Sequence, residues 1–181
     1  MKKFFEVLSF ILNPIFIIIG LYIISLFLYE FKLFEKILIA IFQLIIPLSV
    51  FFYRMYQKKI DFDLTDRKSR IPLLIFAMIS YSIGSIIIYL NGNPNELKLQ
   101  LGIFLLFLLF TLITVKWKIS FHCFMLTIGI LILYKFISSF FLLLGLILLP
   151  LVMIARVYLK KHTPMQTVAG VLLALCLLLF F

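Results

Sequence analysis

The chain has 181 residues, of which 65% are hydrophobic and 13% charged, and its mean hydropathy is +1.26. A soluble domain is roughly half apolar and a quarter charged, so no water-soluble fold of this length hides so much apolar surface, and the chain belongs in a bilayer. The net charge of +10 is scattered through short loops rather than gathered in one basic domain. That pattern argues against a nucleic-acid partner and for loop charge that orients the protein and attracts anionic lipid.

Met1-Lys2-Lys3 supplies a positive start. The apolar run that follows is too long for a removable leader and has no small-residue cleavage site, so it reads as a retained first span. A transmembrane helix needs about 20 apolar residues, with a range of about 17 to 25. Runs near that length fall at 14–29, 36–53, 72–90, 97–115, 119–134, 138–155 and 164–181. The predicted fold is all-α, a polytopic transmembrane bundle of about six to seven spans, in one integral membrane domain covering 1–181. The fifth run is short, and it or the last is expected to be tilted, re-entrant or partly inserted. No repeat, low-complexity linker or second domain is visible.

Asn13-Pro14, Ile71-Pro72 and Thr163-Pro164 place proline where a helix begins, because the first turn has no partner for the missing N–H. Pro47 and Pro150 fall inside apolar runs and are expected to kink them. Asn91-Gly92-Asn93-Pro94-Asn95 reads as a turn closing a helical hairpin, and Ser138-Ser139 as another tight turn. This alternation puts the N-terminus and the loops 54–71, 116–118 and 156–163 on one side of the membrane. All of the 17 lysines and arginines except Lys32, Lys36, Lys98 and Lys135 then fall on that side. The positive-inside rule makes it the cytoplasmic face. Cys123 and Cys176 lie in apolar runs without companion ligands and read as packed small hydrophobes.

Three polar clusters share that side. They are 61–72, with Asp61, Asp63, Asp66, Arg67, Lys68 and Arg70; 118–122, with Lys118, Ser120 and His122; and 155–166, with Arg156, Lys160, Lys161, His162 and Gln166. Ionisable residues at a bilayer edge are costly, and facing a shared polar cavity is the usual resolution. Histidine suits acid–base and nucleophilic chemistry near neutral pH, and the arginine fork suits phosphate. The chain holds two histidines, and each stands beside a basic or hydroxyl residue. The plainer roles are topology and headgroup contact for Arg67, Lys68, Lys160 and Lys161, and helix capping or ion pairing for the three aspartates. Tyr53, Trp117 and Tyr158 fit an interfacial aromatic belt.

In order and spacing, the clusters resemble the type 2 phosphatidic acid phosphatase family, which shares its core with vanadium-dependent haloperoxidases. Arg156, five residues, His162, three residues, Gln166 matches the spacing of the family's third motif. Ser120 and His122 match the second, and Arg70 matches the first, with Pro72 displaced by one residue. The resemblance covers roughly 61–166. It implies that His162 attacks phosphorus and forms a phosphohistidine, that His122 protonates the leaving alkoxide, and that Arg70, Arg156, Ser120 and a backbone N–H near Phe121 hold the phosphoryl oxygens. Neither metal nor cofactor is implied. Where the family carries lysine, glycine, serine and aspartate, this chain has Asp63, Phe121, Ala155 and Gln166. Arg67 or Lys68 is then the expected substitute for the missing cation. The implied activity is metal-independent hydrolysis of a lipid phosphomonoester or diphosphate, such as phosphatidate, phosphatidylglycerol phosphate or a polyprenyl diphosphate. The alternative is a non-catalytic relative that binds lipid headgroups as a scaffold or transport component.

Overall fold

A computed structural model describes residues 1–28, 31–90 and 94–181. Asn91-Gly92-Asn93 of the expected turn, and Tyr29 at the end of the first expected apolar run, lie outside the described residues. In chain order the elements are α1 (Lys2–Ile11), α2 (Pro14–Leu28), α3 (Leu33–Ala40), a π-helical segment (Ile41–Ile45), α4 (Ile46–Tyr56), α5 (Arg67–Leu90), α6 (Pro94–Lys116), α7 (Phe121–Phe136), α8 (Phe140–Tyr158), α9 (Pro164–Leu175) and a terminal 3₁₀ segment (Cys176–Phe180). No strand occurs among the described residues. Five helices there are long and apolar enough to cross a membrane: Lys2–Ser25, Leu33–Tyr56, Arg67–Leu90, Glu96–Lys116 and Phe140–Tyr158. Two apolar helices, Phe121–Phe136 and Pro164–Phe180, are shorter. The protein is an all-helical bundle of membrane type.

The chain forms two compact units. One comprises 1–24, 118–179 and 181, and the other 25–117 and 180. In the first, α7 packs on α8 and α9, and α8 packs on α1. Every α7 residue from Phe121 to Leu131 is buried, which explains a sequence apolar on all sides. Cys123, Leu126, Ile130 and Val152 form its core, with Leu12, Ile17, Leu148 and Val171 around them. The first helical stretch begins well before Pro14, at Lys2. It breaks at Asn13, whose Oδ1 accepts the Ile15 N–H at 3.0 Å and restarts the helix as α2.

In the second unit, the run around Pro47 is neither a simple helix nor simply kinked. The residues just before it widen into the π segment, where the Ile46 N–H reaches back to the Ile41 carbonyl. In that register the Phe42 carbonyl faces position 47, where proline has no N–H to give. The Ser80 hydroxyl of α5 donates to that carbonyl instead. Gln43, buried in the same segment, donates from Nε2 to Gln100 Oε1 at 3.2 Å and Ser85 Oγ at 3.3 Å. Gly84 leaves room for it, since a Cβ there would lie 2.5 Å from Gln43 Cγ.

Pro72 corrects the sequence reading, because it lies inside α5 rather than at its start. Asp66 ends the preceding loop by accepting the Ser69 N–H on Oδ2 at 2.8 Å, so the helix begins at Arg67 and Pro72 falls in its second turn. That bond holds the Asp66 carboxyl below its ordinary range. Cys123 is packed as expected, but Cys176 is exposed. It sits on a face of the terminal segment that also presents Leu175, Leu178 and Leu179 outward.

Candidate functional site

The site is built where α8 ends. The Lys160 N–H bonds to the Val157 carbonyl at 2.9 Å and the Lys161 N–H to the Arg156 carbonyl at 3.0 Å, with Lys160 left-handed at φ 53°. This is a Schellman ending, with lysine where glycine is usual. The His162 N–H also reaches the Arg156 carbonyl, at 3.3 Å. The five residues between Arg156 and His162 are thus the length of one helix ending, which folds His162 back onto the arginine's own peptide. α4 closes the same way, with Lys58 at φ 58° and the Lys59 N–H on the Arg54 carbonyl. The two sequences, Arg54-Met55-Tyr56-Gln57-Lys58-Lys59 and Arg156-Val157-Tyr158-Leu159-Lys160-Lys161, share Arg-x-Tyr-x-Lys-Lys. This is a short repeat after all, too brief to stand out against so apolar a background. What distinguishes the second copy is the residue that follows, His162 in place of Ile60.

Thr163 caps α9 and Pro164 is its first residue, as the sequence predicted. Gln166 completes a capping box: its N–H bonds to Thr163 Oγ1 at 3.4 Å, and its Oε1 accepts the Thr163 N–H at 3.1 Å. The same Oε1 lies 3.2 Å from His162 Nδ1. Because a backbone N–H can only donate, the glutamine atom facing it is the oxygen, and Nδ1 opposite that oxygen must carry the proton. The lone pair of His162 is then on Nε2. A capping glutamine thereby fixes the tautomer of a buried histidine.

The second half of the site begins α7. Ser120 is its N-cap, with Oγ accepting the Cys123 N–H at 3.4 Å, and its own N–H donates to the Gln166 carbonyl at 2.9 Å. Gly170 lets α9 come this close, since a Cβ there would meet the Ser120 carbonyl at 2.6 Å. His122, two residues into α7, and Arg156, in the last turn of α8, are each 1% exposed. Arg156 Nη1 lies 3.4 Å from His122 Nε2. Arginine has no acceptor, so this contact is a hydrogen bond only when Nε2 is unprotonated. The same Nη1 donates to Ser9 Oγ of α1 at 2.6 Å, a partner the sequence did not single out. Lys118 Nζ donates to the Lys161 carbonyl at 3.2 Å, which sets an ammonium beside the turn that carries His162.

His122, Arg156, His162, Gln166 and Ser120 are therefore brought together within the first unit, the guanidinium reaching His122 and the Arg156 backbone carbonyl reaching the His162 N–H. Arg67, Lys68 and Arg70 belong to the second unit. There Arg67 Nη1 donates to the Val115 carbonyl at 2.9 Å, Lys68 is exposed, and buried Arg70 donates from Nε to the Leu64 carbonyl at 3.1 Å. Asp61 and Asp66 shape their loop, Asp61 Oδ1 accepting the Thr65 N–H at 2.6 Å. Among the described residues no group of three or more His, Cys, Asp and Glu is placed to hold a metal ion. No protein-family model, curated protein or solved structure matches this chain. The functional reading rests on the geometry and the motif spacing.

Proposed function

We propose that this protein is an integral-membrane lipid phosphate phosphatase that works through a phosphohistidine and without a metal. The observation that carries this reading is that both histidines of the chain meet the same buried arginine, His122 through Nη1 and His162 through the Arg156 carbonyl. A guanidinium costs too much to bury unless its donors are used. Beside the His122 imidazole, and on the helix turn that leads into His162, it would serve as a ligand for the oxygens of a phosphoryl group.

On this reading His162 attacks phosphorus with Nε2 while Nδ1 stays bonded to Gln166. Arg156 and Lys118 stabilise the charge on the phosphoryl oxygens, with Ser120 as a further candidate ligand. His122 gives its proton to the departing alkoxide. To carry that proton on Nε2, it must first be released by Arg156, so arrival of the phosphate and charging of the acid are one event. Water then hydrolyses the phosphohistidine. Phosphoryl transfer of this kind depends mostly on positioning and charge stabilisation. The substrate would be a phosphomonoester or diphosphate on a lipid, such as phosphatidate, phosphatidylglycerol phosphate or a polyprenyl diphosphate.

A second reading, a headgroup-binding scaffold or transport component without turnover, draws on Gln166. An amide orients the imidazole but adds no negative charge behind it, and losing that charge in a hydrolase triad can cost several powers of ten. Phosphate release from a panel of lipid phosphates by purified protein decides between them. Release that is lost in His162→Ala and insensitive to chelator supports the enzyme. Binding without release supports the scaffold. Release that survives His162→Ala, or that needs added magnesium, overturns the mechanism.

A further inference from the structure

One partner of the Arg156 guanidinium comes from the far end of the chain. Ser9 is 4% exposed, its Oγ lies 2.6 Å from Arg156 Nη1, and the two are 147 residues apart in sequence. It is delivered by α1, whose inward stripe is Phe5, Leu8, Ser9 and Leu12, the i, i+3, i+4, i+7 pattern of a helix seated on a neighbour. Phe5 packs at a tilt against Tyr158 of α8, with ring centroids 4.9 Å apart and planes at 46°, so α1 rests on the same helix turn that carries Arg156. The outward stripe is Phe4, Val7 and Ile11, all exposed and apolar, beside exposed Lys2 and Lys3. Apolar residues flanked by lysines are what an interfacial helix presents to lipid.

We infer that Ser9 is a positioning residue of the phosphate site: its hydroxyl holds the Arg156 fork in place, so that grip on phosphate depends on the seating of the amphipathic N-terminal helix. This deepens the phosphatase reading and rests on it. Nη1 has two N–H groups, and Ser9 and His122 face that one nitrogen. The serine contact sets the guanidinium's rotation. When phosphate displaces His122 from Nη1, the Ser9 bond is the one that stays. Removing the hydroxyl takes away one of the bonds that set the guanidinium's rotation, which weakens phosphate binding in ground and transition states alike. The signature is a raised KM with kcat nearly kept.

The test uses the full-length protein in mixed micelles, with phosphatidate as substrate and inorganic orthovanadate as a phosphate-like inhibitor. In Ser9→Ala, KM and the orthovanadate inhibition constant should both rise about tenfold, equivalent to about 1.4 kcal/mol, with kcat within about twofold. Ser9→Thr, which keeps the hydroxyl, should restore both. Should Ser9→Ala not fold, Ser9→Cys keeps the size with a much weaker acceptor and should show the same split. Unchanged constants in Ser9→Ala, or a Ser9→Thr protein as impaired as Ser9→Ala, overturn the inference while the phosphatase reading stands. A wild-type protein that neither hydrolyses phosphatidate nor responds to orthovanadate overturns the phosphatase reading, and this inference with it.

Discussion

Gln166 sits where charge, reach and helix capping meet. Its Oε1 serves two donors at once, the Thr163 N–H and His162 Nδ1. Gln166→Glu keeps that length and both bonds, suits the capping box, and adds a negative charge behind the imidazole and at a helix N-terminus. It should raise kcat about tenfold, a change of about 1.4 kcal/mol in the barrier. A loss of activity in a well-folded Gln166→Glu protein would show instead that the site is tuned to a neutral partner. The tie between His162 and Gln166 was legible in the sequence because both belong to one helix start, and local spacing fixes local geometry. So was the distance from Arg156 to His162. Ser9 was not, because nothing local marks a serine whose partner is 147 residues away. The role of Ser120 as a helix cap was also hidden behind its resemblance to a phosphate ligand.

Elements were easier to foresee than their junctions. The apolar runs located the membrane helices, and Thr163-Pro164 located the start of α9. Pro72 misled because a proline rule for helix starts competes with a stronger cap, and Asp66 captured the start one turn earlier. Pro47 marked a distortion whose form depends on Ser80, a residue from another helix. Helix proximity matters most at Gly170, which no periodicity singles out. Gly170→Ala should destabilise the protein by about 1–3 kcal/mol, because the new methyl meets a backbone carbonyl that cannot move aside. It should also lower activity by shifting the Ser120–Gln166 contact. Gly20→Ala is the matched control: nothing lies within 4 Å of that position, and alanine is favoured over glycine within a helix. Thermal unfolding of the two variants in detergent makes the comparison. Equal midpoints would mean that α9 does not need its close approach to α7.

The molecule as a whole was legible as a membrane bundle, since no other class tolerates this composition. Its division into two units was not, because both have the same apolar background and no linker separates them. Orientation is a prediction from charge: the N-terminus and the loops 54–71, 116–118 and 156–163 carry most of the lysines and arginines, and the positive-inside rule predicts them on the cytoplasmic side. Lys59→Cys in a cysteine-free background should therefore resist membrane-impermeant thiol reagents in intact cells and react after lysis. Labelling in intact cells would put that loop outside and leave the chemistry untouched. α7 carries one more consequence. Its 16 residues extend about 24 Å at 1.5 Å each, less than the roughly 30 Å of a hydrocarbon core. A lipid-facing helix that short would have to thin the bilayer around it. α7 escapes that constraint because protein surrounds it from Phe121 to Leu131, and Ser120 Oγ accepts the Cys123 N–H in its first turn. On the proposed reading, its first turn, with His122, would stop beneath the membrane surface, near the depth where a lipid's phosphate joins its tail.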